Sequence, residues 1–478
     1  MNRYALWCTL LAVGCSGTSP ASSTDMGFGS VNIFSWWSGA GEADALRAVL
    51  ELYQRQYPGT SLENSAVVGS GTQDQDVAKS LARGEIPPDA FQLAGNGGEI
   101  DAWTHFSGTL ADPISPSVNA LMPLDDLYAE GNWLSLMPKI ITDVLRGDDG
   151  HMYMVPIGIH RRNSLFYNTA LFRTCPKVGG GALTAPVSWS EYLEVTVPSL
   201  EACKITPLAL SGQGWAQHIL WLNVLIGTAG APYRNRLETG LADFGSESTA
   251  DAQTLKSSLR TLYNVLWHVN LDATSAFGWD DAAALLQSTS SNRAAMYIHG
   301  DWAKGYYQAN GWHAGVDFDE LPGPGTAGTY LFNYDAFAIP QKAKNIAAAK
   351  AFISVFASKE GQVAFNTLKG SAPVRNDIAL ASFDTVEQQK IAQLQDPATT
   401  LLSLSDSPAD WANETACLIP AFRPTAPPPS DHKAAETQAT TQVDAIYSRL
   451  AACYLCDIKG ICGAAQAGCF HVKKACQP

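Results

Sequence analysis

The stretch VNIFSWWSGAGEADALRAVLELYQRQYPG, residues 31–59, decides the fold class. Residues 31–37 are β-branched and aromatic and stop at the small run Ser38-Gly39-Ala40-Gly41, which reads as a strand entering a turn. From residue 42 to 57 the apolar positions take helical spacing, with Leu46, Val49, Leu50, Tyr53 and Tyr57 on one stripe. Tyr57-Pro58-Gly59 ends that helix, because proline removes a backbone donor and glycine lets the chain turn. Residues 61–68 read as a second strand, 73–83 as a helix and 88–94 as a third strand. Strand, helix, strand, helix, strand at this spacing predicts a parallel sheet with crossover helices, an α/β class.

Outward from this block, Gly147-Asp148-Asp149-Gly150 marks a turn before a strand at 151–156, and 156–168 stays mostly extended. Helices are predicted at 189–200, 215–226, 251–267 and 280–288, and a strand at 293–300. After a loop at 322–328 come a strand at 330–340 and a helix at 343–357 with Ile346, Ala349, Phe352, Ile353 and Phe356 on one face. A proline-rich loop at 424–429 precedes a final amphipathic helix at 432–451. No internal repeat is present.

The 478 residues are enough for two to three domains with a large core. With 46% hydrophobic and 16% charged residues the chain is neither disordered nor fibrous. The balance of 31 basic against 45 acidic residues, net −14, excludes the basic face of a nucleic-acid binder, so no nucleic-acid partner is expected. The longest apolar stretch, residues 4–13, is too short for a bilayer but has the length of a signal-peptide core behind Met1-Asn2-Arg3. It ends in Ala12-Val13-Gly14-Cys15, similar to a bacterial lipobox in which Cys15 carries lipid. The alternative is an ordinary cleaved signal with an incidental cysteine, and both export the protein. Residues 16–30 follow as a small, polar tether.

Of ten cysteines, Cys8 leaves with the signal and Cys15 is the lipid candidate, which leaves eight. An even number in an exported chain reads as disulfides. Cys175 and Cys203 bracket a Gly/Pro-rich excursion and are expected to pair, while Cys417 joins Cys453, Cys456, Cys462, Cys469 and Cys476 as a second set. Cys453-Tyr454-Leu455-Cys456 alone suggests zinc or redox chemistry, but the later gaps do not repeat that spacing, so stapling is preferred and no metal or cofactor is expected.

The chain has no GxxxxGK[ST], GxSxG, HExxH or helix-opening GxGxxG, and its nine histidines do not cluster, so enzyme readings begin weakly supported. Phe34-Ser35-Trp36-Trp37-Ser38-Gly39-Ala40-Gly41-Glu42 instead puts two indoles at the carboxyl edge of a parallel sheet, where open α/β folds hold ligands. An indole offers its face to the C–H side of a sugar ring, and Glu42 accepts from hydroxyls. Neighbouring strand residues point to opposite faces, so one tryptophan is expected in the core and the other in a site.

That segment, with PPDAFQLAG (87–95), YMVPIGIHRRNSLFYN (153–168), MYIHGDWAKGY (296–306) and LKGSAPVR (368–375), resembles in order the extracellular solute-binding proteins of ABC sugar transporters, most closely the glucose/mannose-binding branch. The resemblance covers residues 31–451. It implies a periplasmic-binding-protein fold of two α/β lobes joined by crossing strands, with a sugar gripped between them and a membrane permease as partner. Residues 31–155 with 330–365 are then the first lobe, 156–329 with 366–450 the second, and 451–478 a cysteine-rich tail. The lobes would bend at 155–161 and 330–333, and the protein would act as a monomer.

Matching positions imply ligand contacts at Trp36, Trp37, Glu42, Gln92, His160, Trp279, Asp301 and Lys369. Amide, imidazole, carboxylate and ammonium groups together supply donors and acceptors for vicinal hydroxyls. Two departures stand out: Ala94 replaces a histidine the family often carries two residues after the glutamine, and no histidine lies between 376 and 422. Each position has a plainer reading. His160 would cap a hinge turn, Asp301 would cap the helix after it, and Lys369 would be surface. Trp215, Gln217 and Trp221 read as core. The rival reading is an exported glycoside hydrolase with Glu42 and Asp301 as its carboxylate pair; a third is a surface receptor on the same scaffold.

Overall fold

The structure, a computed structural model, describes residues 29–65, 77–78, 80–81, 83–95, 99–109, 112–270, 277–403, 419, 422 and 431–457. Twelve strands fall into two larger sheets and a ribbon. β1 (Ser30–Phe34) lies between β2 (Ser61–Asn64) and β3 (Ala90–Gly95), parallel to both, as the strand–helix–strand reading requires. The helix Glu42–Gln56 buries Ala45, Leu46, Val49 and Tyr53, and the chain leaves it through Gly59 at φ +87°. β4 (Phe106–Thr109) and β5 (Asp112–Val118) pair as the ribbon.

β6 (Met154–Arg161) leads through Arg162 and Asn163 into β7 (Ser164–Asn168). β7 starts the second sheet, whose order is β10-β7-β9-β8, with β8 at Thr206–Ala209, β9 at Ala294–His299 and β10 at Phe318–Pro322. β11 (Thr329–Ala338) returns to the first sheet, antiparallel to both β6 and β3 and parallel to β12 (Thr400–Ser403). Along β6 and β7 the cores change hands: Ile157 and Ile159 belong to the first apolar cluster, Leu165 to the second. β11 brings the chain back from the second sheet to the first, with Leu331 in the second cluster and its neighbours Tyr330 and Phe332 in the first. The architecture is therefore two α/β bodies joined by crossing strands, a bilobal fold.

The predicted boundary at 366 does not hold. Ala372, Val374, Phe383, Ile391 and Leu394 pack in the first core, and β12 joins the first sheet, whereas Val443, Ile446 and Leu450 pack in the second. The helix expected over 189–200 is interrupted: Trp189–Glu191 and Val197–Ala202 flank a wider turn at Tyr192–Thr196. The last helix, His432–Asp457, runs past 451, so Cys453 and Cys456 sit on it rather than in a separate tail. Cys175 and Cys203 are bonded, and Cys453 is also in a disulfide. Cys15, Cys417, Cys462, Cys469 and Cys476 lie outside the described residues. No helix among the described residues is long and apolar enough to cross a membrane.

Candidate functional site

A cavity of about 450 Å³ opens where the two cores meet the crossing strands. Its first-lobe wall is the turn after β1, with Trp36, Ser38, Gly39, Ala40 and the first helical residue Glu42; Ala94 of β3 and Lys369 complete it. The opposite wall holds Trp215, Trp279, Trp302 and Tyr306, with Gln213, Asp280 and Arg162 between them. His160, Asn333 and Asp335 come from the crossing strands; His160 and Asn333 are direct ladder partners.

The aromatic wall is built, not incidental. Trp279 stacks on His299 with centroids 5.6 Å apart and planes 16° apart, and meets Tyr306 edge-on at 5.8 Å. Trp215 and Trp302 are 6.0 Å apart. Burial holds His299 neutral, far below the usual imidazole range, with the charges of Arg162 and Lys369 acting in the same direction. An aromatic wall backed by a neutral imidazole thus faces Trp36 across the gap.

Beneath the cavity lies a ladder of buried charges. His160 donates from Nδ1 to Asp301 at 2.7 Å and from Nε2 to Asp335 at 2.9 Å. Burial alone would lower its pKa, but the fields of Asp335 and Asp301 reverse this and hold it above the usual 6.5, so the ring is an imidazolium with both N–H groups spent. Asp301 also accepts from the Arg161 backbone N–H at 2.8 Å and pairs with Lys390 at 2.9 Å. For Asp301 and Asp335 burial raises the pKa, yet Lys390 and His160 at the first and His160 at the second leave both below the ordinary carboxylate value. Arg161 binds Glu320 at 2.8 Å, Lys304 binds Asp384 and Glu387 at 2.8 and 3.0 Å, and Lys369 is paired with Glu42.

The structure separates the predicted contacts. Trp36, Glu42, Trp279 and Lys369 line the cavity together. Trp37 does not: it is 1% exposed, packed 4.6 Å from Phe365 and within 6.0 Å of Phe337 and Phe356. Gln92 is buried behind the wall, where its Oε1 accepts from the Trp36 N–H at 3.2 Å, and Ala94 is the β3 residue that reaches the surface of the cavity. Asp301 is 0% exposed with both oxygens occupied, and its side chain caps no helix. His160 lines the cavity with a ring whose nitrogens are already bonded. Trp215, expected in the core, is on the cavity wall. The hydrolase pair dissolves for the same reasons: Glu42 is tied to Lys369 and Asp301 is a sealed, ionised group, neither fit to be a general acid.

Sequence reading passed over Arg162, Asn333, Asp335, Trp302 and Tyr306. The signal for the last two was the Gly300-Asp301-Trp302 stretch itself, which starts a helix pointing its first indole into the gap. At the edge of the cavity, helix Trp302–Ala309 meets the first lobe through glycines. A Cβ on Gly41 would sit 2.5 Å from the Gly305 carbonyl carbon, and one on Gly305 would sit 2.4 Å from the Leu368 oxygen.

A family model for bacterial extracellular solute-binding proteins matches residues 39–363. An uncharacterized ABC transporter extracellular-binding protein of Pyrococcus horikoshii is 30% identical over 404 residues, 83% of this chain and 84% of that one. A xylose/arabinose-binding protein of Haloferax volcanii is 26% identical over 72% of this chain and 69% of its own length. Among solved structures, the bacterial solute receptor AcbH, described with an exclusive preference for β-D-galactopyranose, superposes with a TM-score of 0.66 at 17% identity, covering 87% of this chain and 98% of its own, a likeness of fold.

Proposed function

The chain belongs to the bacterial extracellular solute-binding proteins, and on that premise we propose that it captures a monosaccharide or short oligosaccharide between its lobes and delivers it to the permease of an ABC transporter. The observation that carries the reading is the pairing of Trp36 on one wall with Trp279, Trp215 and Trp302 on the other, above polar groups held in place by ion pairs. Indoles on two sides match the C–H faces of a pyranose, and the fixed polar groups sort hydroxyl configuration. A glucose- or mannose-like ring is the starting candidate; the Haloferax relative, named for xylose and arabinose, supports a sugar without fixing its identity.

The protein binds and does not hydrolyse in this reading, works as a monomer, and is held at the outer face of a membrane through lipid on Cys15. Cys15→Ser is expected to move it from the detergent phase to the aqueous phase on partitioning; unchanged partitioning removes the anchor. A thermal-shift screen of the mature protein against neutral and acidic mono- and disaccharides tests the main reading, since a ligand bound only by the folded state raises the midpoint by mass action. No shift with any of them at millimolar concentration, confirmed by calorimetry, would overturn it.

A further inference from the structure

We propose that the sugar held in this cleft carries a carboxylate and that Arg162 selects it; the inference rests on the sugar-binding reading above and narrows its ligand class to uronic acids and their short oligomers. Arg162 lies just beyond the end of β6, lines the cavity and is only 9% exposed. Each of the other cations around the crossing strands sits on a carboxylate: His160, Arg161, Lys304, Lys369 and Lys390 all have one within contact distance. The Arg162 main chain is bonded, its N–H to the Leu331 carbonyl at 2.7 Å and its carbonyl to the Asn223 amide at 3.2 Å, but its guanidinium has no hydrogen bond or ion pair among the described residues, and the buried Nε is unsatisfied.

What Arg162 has instead is a platform. Its guanidinium carbon lies 5.0 Å from the Trp302 ring centre and 5.9 Å from that of Trp215. Contact with aromatic faces orients the fork and leaves its donors free. Burial has already drawn its pKa down to about 10, even with the fields of Asp335 and Asp301 pulling the other way. Those two carboxylates cannot turn to it, because both are bonded to His160. A buried cation with idle donors is costly unless something brings it an anion.

The geometry of the anion follows from the fork. Two parallel N–H groups match a planar carboxylate, whereas a neutral hydroxyl answers one donor and none of the charge. A hexuronate combines the needed parts: C–H faces for the indoles, hydroxyls for the Glu42–Lys369 side, and an acid group on the ring edge. Glu42 and Asp335, charged groups beside it in the wall, are answered by Lys369 and His160, so the positive charge the cavity leaves open is that of Arg162. The neighbouring arginine is spent on Glu320, which leaves Arg162 as the member of the pair that has aromatic faces but no carboxylate.

Calorimetry decides it. D-Glucuronate and D-galacturonate, their neutral parents glucose and galactose, and the matching hexose 6-phosphates are titrated into the mature protein. At least one uronate is expected to bind tenfold or more tighter than its parent, with an advantage that shrinks with added salt. Arg162→Gln should reduce that ratio to threefold or less, and Arg162→Lys, which keeps the charge but not the fork, should fall between; either variant serves if the other does not fold. A neutral parent binding as tightly as its uronate overturns the inference while the sugar-binding reading stands. A 6-phosphate preferred over the uronate overturns the carboxylate. Binding by none of these probes or by the neutral panel overturns both readings.

Discussion

Trp36 and Trp37 differ by one position, and one faces a cavity while the other is enclosed by phenylalanines. Alanine at each aromatic site should therefore fail differently. Trp37→Ala is expected to cost about 3–5 kcal/mol of stability through the space it leaves, read as a lowered denaturant midpoint. Trp279→Ala should leave that midpoint nearly in place and weaken sugar binding at least tenfold; equal affinity for parent and variant would remove Trp279 from the site. The buried imidazolium gives a pH signature. His160 has a folded pKa above 6.5, so its contribution is complete below that pH and is lost as pH rises through the raised value. Asp301 and Asp335 lie below 3.8, so theirs is complete above it and is lost as pH falls. Thermal stability should peak between about pH 4 and 6.5 and decline on the alkaline side, and His160→Gln should flatten that decline. An alkaline limb identical in the variant would place its origin elsewhere. Trp36, Glu42, Trp279 and Lys369 were legible because each sits in a short motif, whereas Trp215, Arg162 and Asp335 have no pattern that separates them from core or hinge residues. Gln92 and Asp301 were not legible either, because a polar residue that serves another protein group looks the same in sequence as one that serves a ligand. The His160–Asp301 pair spans 141 positions that no local pattern connects.

At the scale of elements, periodicity was a sound guide where one face of a helix is buried. Residues 42–56 and 346–357 read from sequence almost as they stand. It gave less after residue 366: the helix Thr385–Gln395 buries the charged Glu387 and Lys390 beside Val386, Ile391 and Leu394, so its inner face is not an apolar stripe, and β12 has only four residues. The turn at Lys177–Gly181 is closed by Cys175–Cys203, 28 positions apart, which ties the end of helix Thr169–Thr174 to the end of Val197–Ala202. Replacing both cysteines with serine should lower stability by roughly 2–4 kcal/mol, because the unfolded chain regains the freedom of that loop. Calorimetric unfolding of the oxidised parent and the double variant measures it, and coincident midpoints would mean the bridge restrains nothing.

For the whole molecule, β6 and β11 are the connections on which the lobes would turn, since each passes from one core to the other within a few residues. Bending there should shrink the radius of gyration when sugar is added, as small-angle scattering would show; a constant radius at saturation would mean a preformed, rigid pocket. The seam at which helix Trp302–Ala309 meets the first lobe bears on how easily such a movement ends. Where Gly41 approaches Gly305 and Gly305 approaches Leu368, backbone meets backbone with no room for a methyl group. Contacts between long side chains would have to freeze several torsions, at roughly 0.5–2 kcal/mol for each side chain ordered. At these two points that penalty is absent, and it falls instead on Lys304 beside them, which Asp384 and Glu387 hold, so the glycine part of the joint adds no side-chain ordering to closure. Gly305→Ala, whose added methyl would meet the backbone of Leu368 and Lys369, should prop this seam apart and weaken capture. A carrier that must surrender its cargo on every cycle gains from a joint that is in part bare backbone.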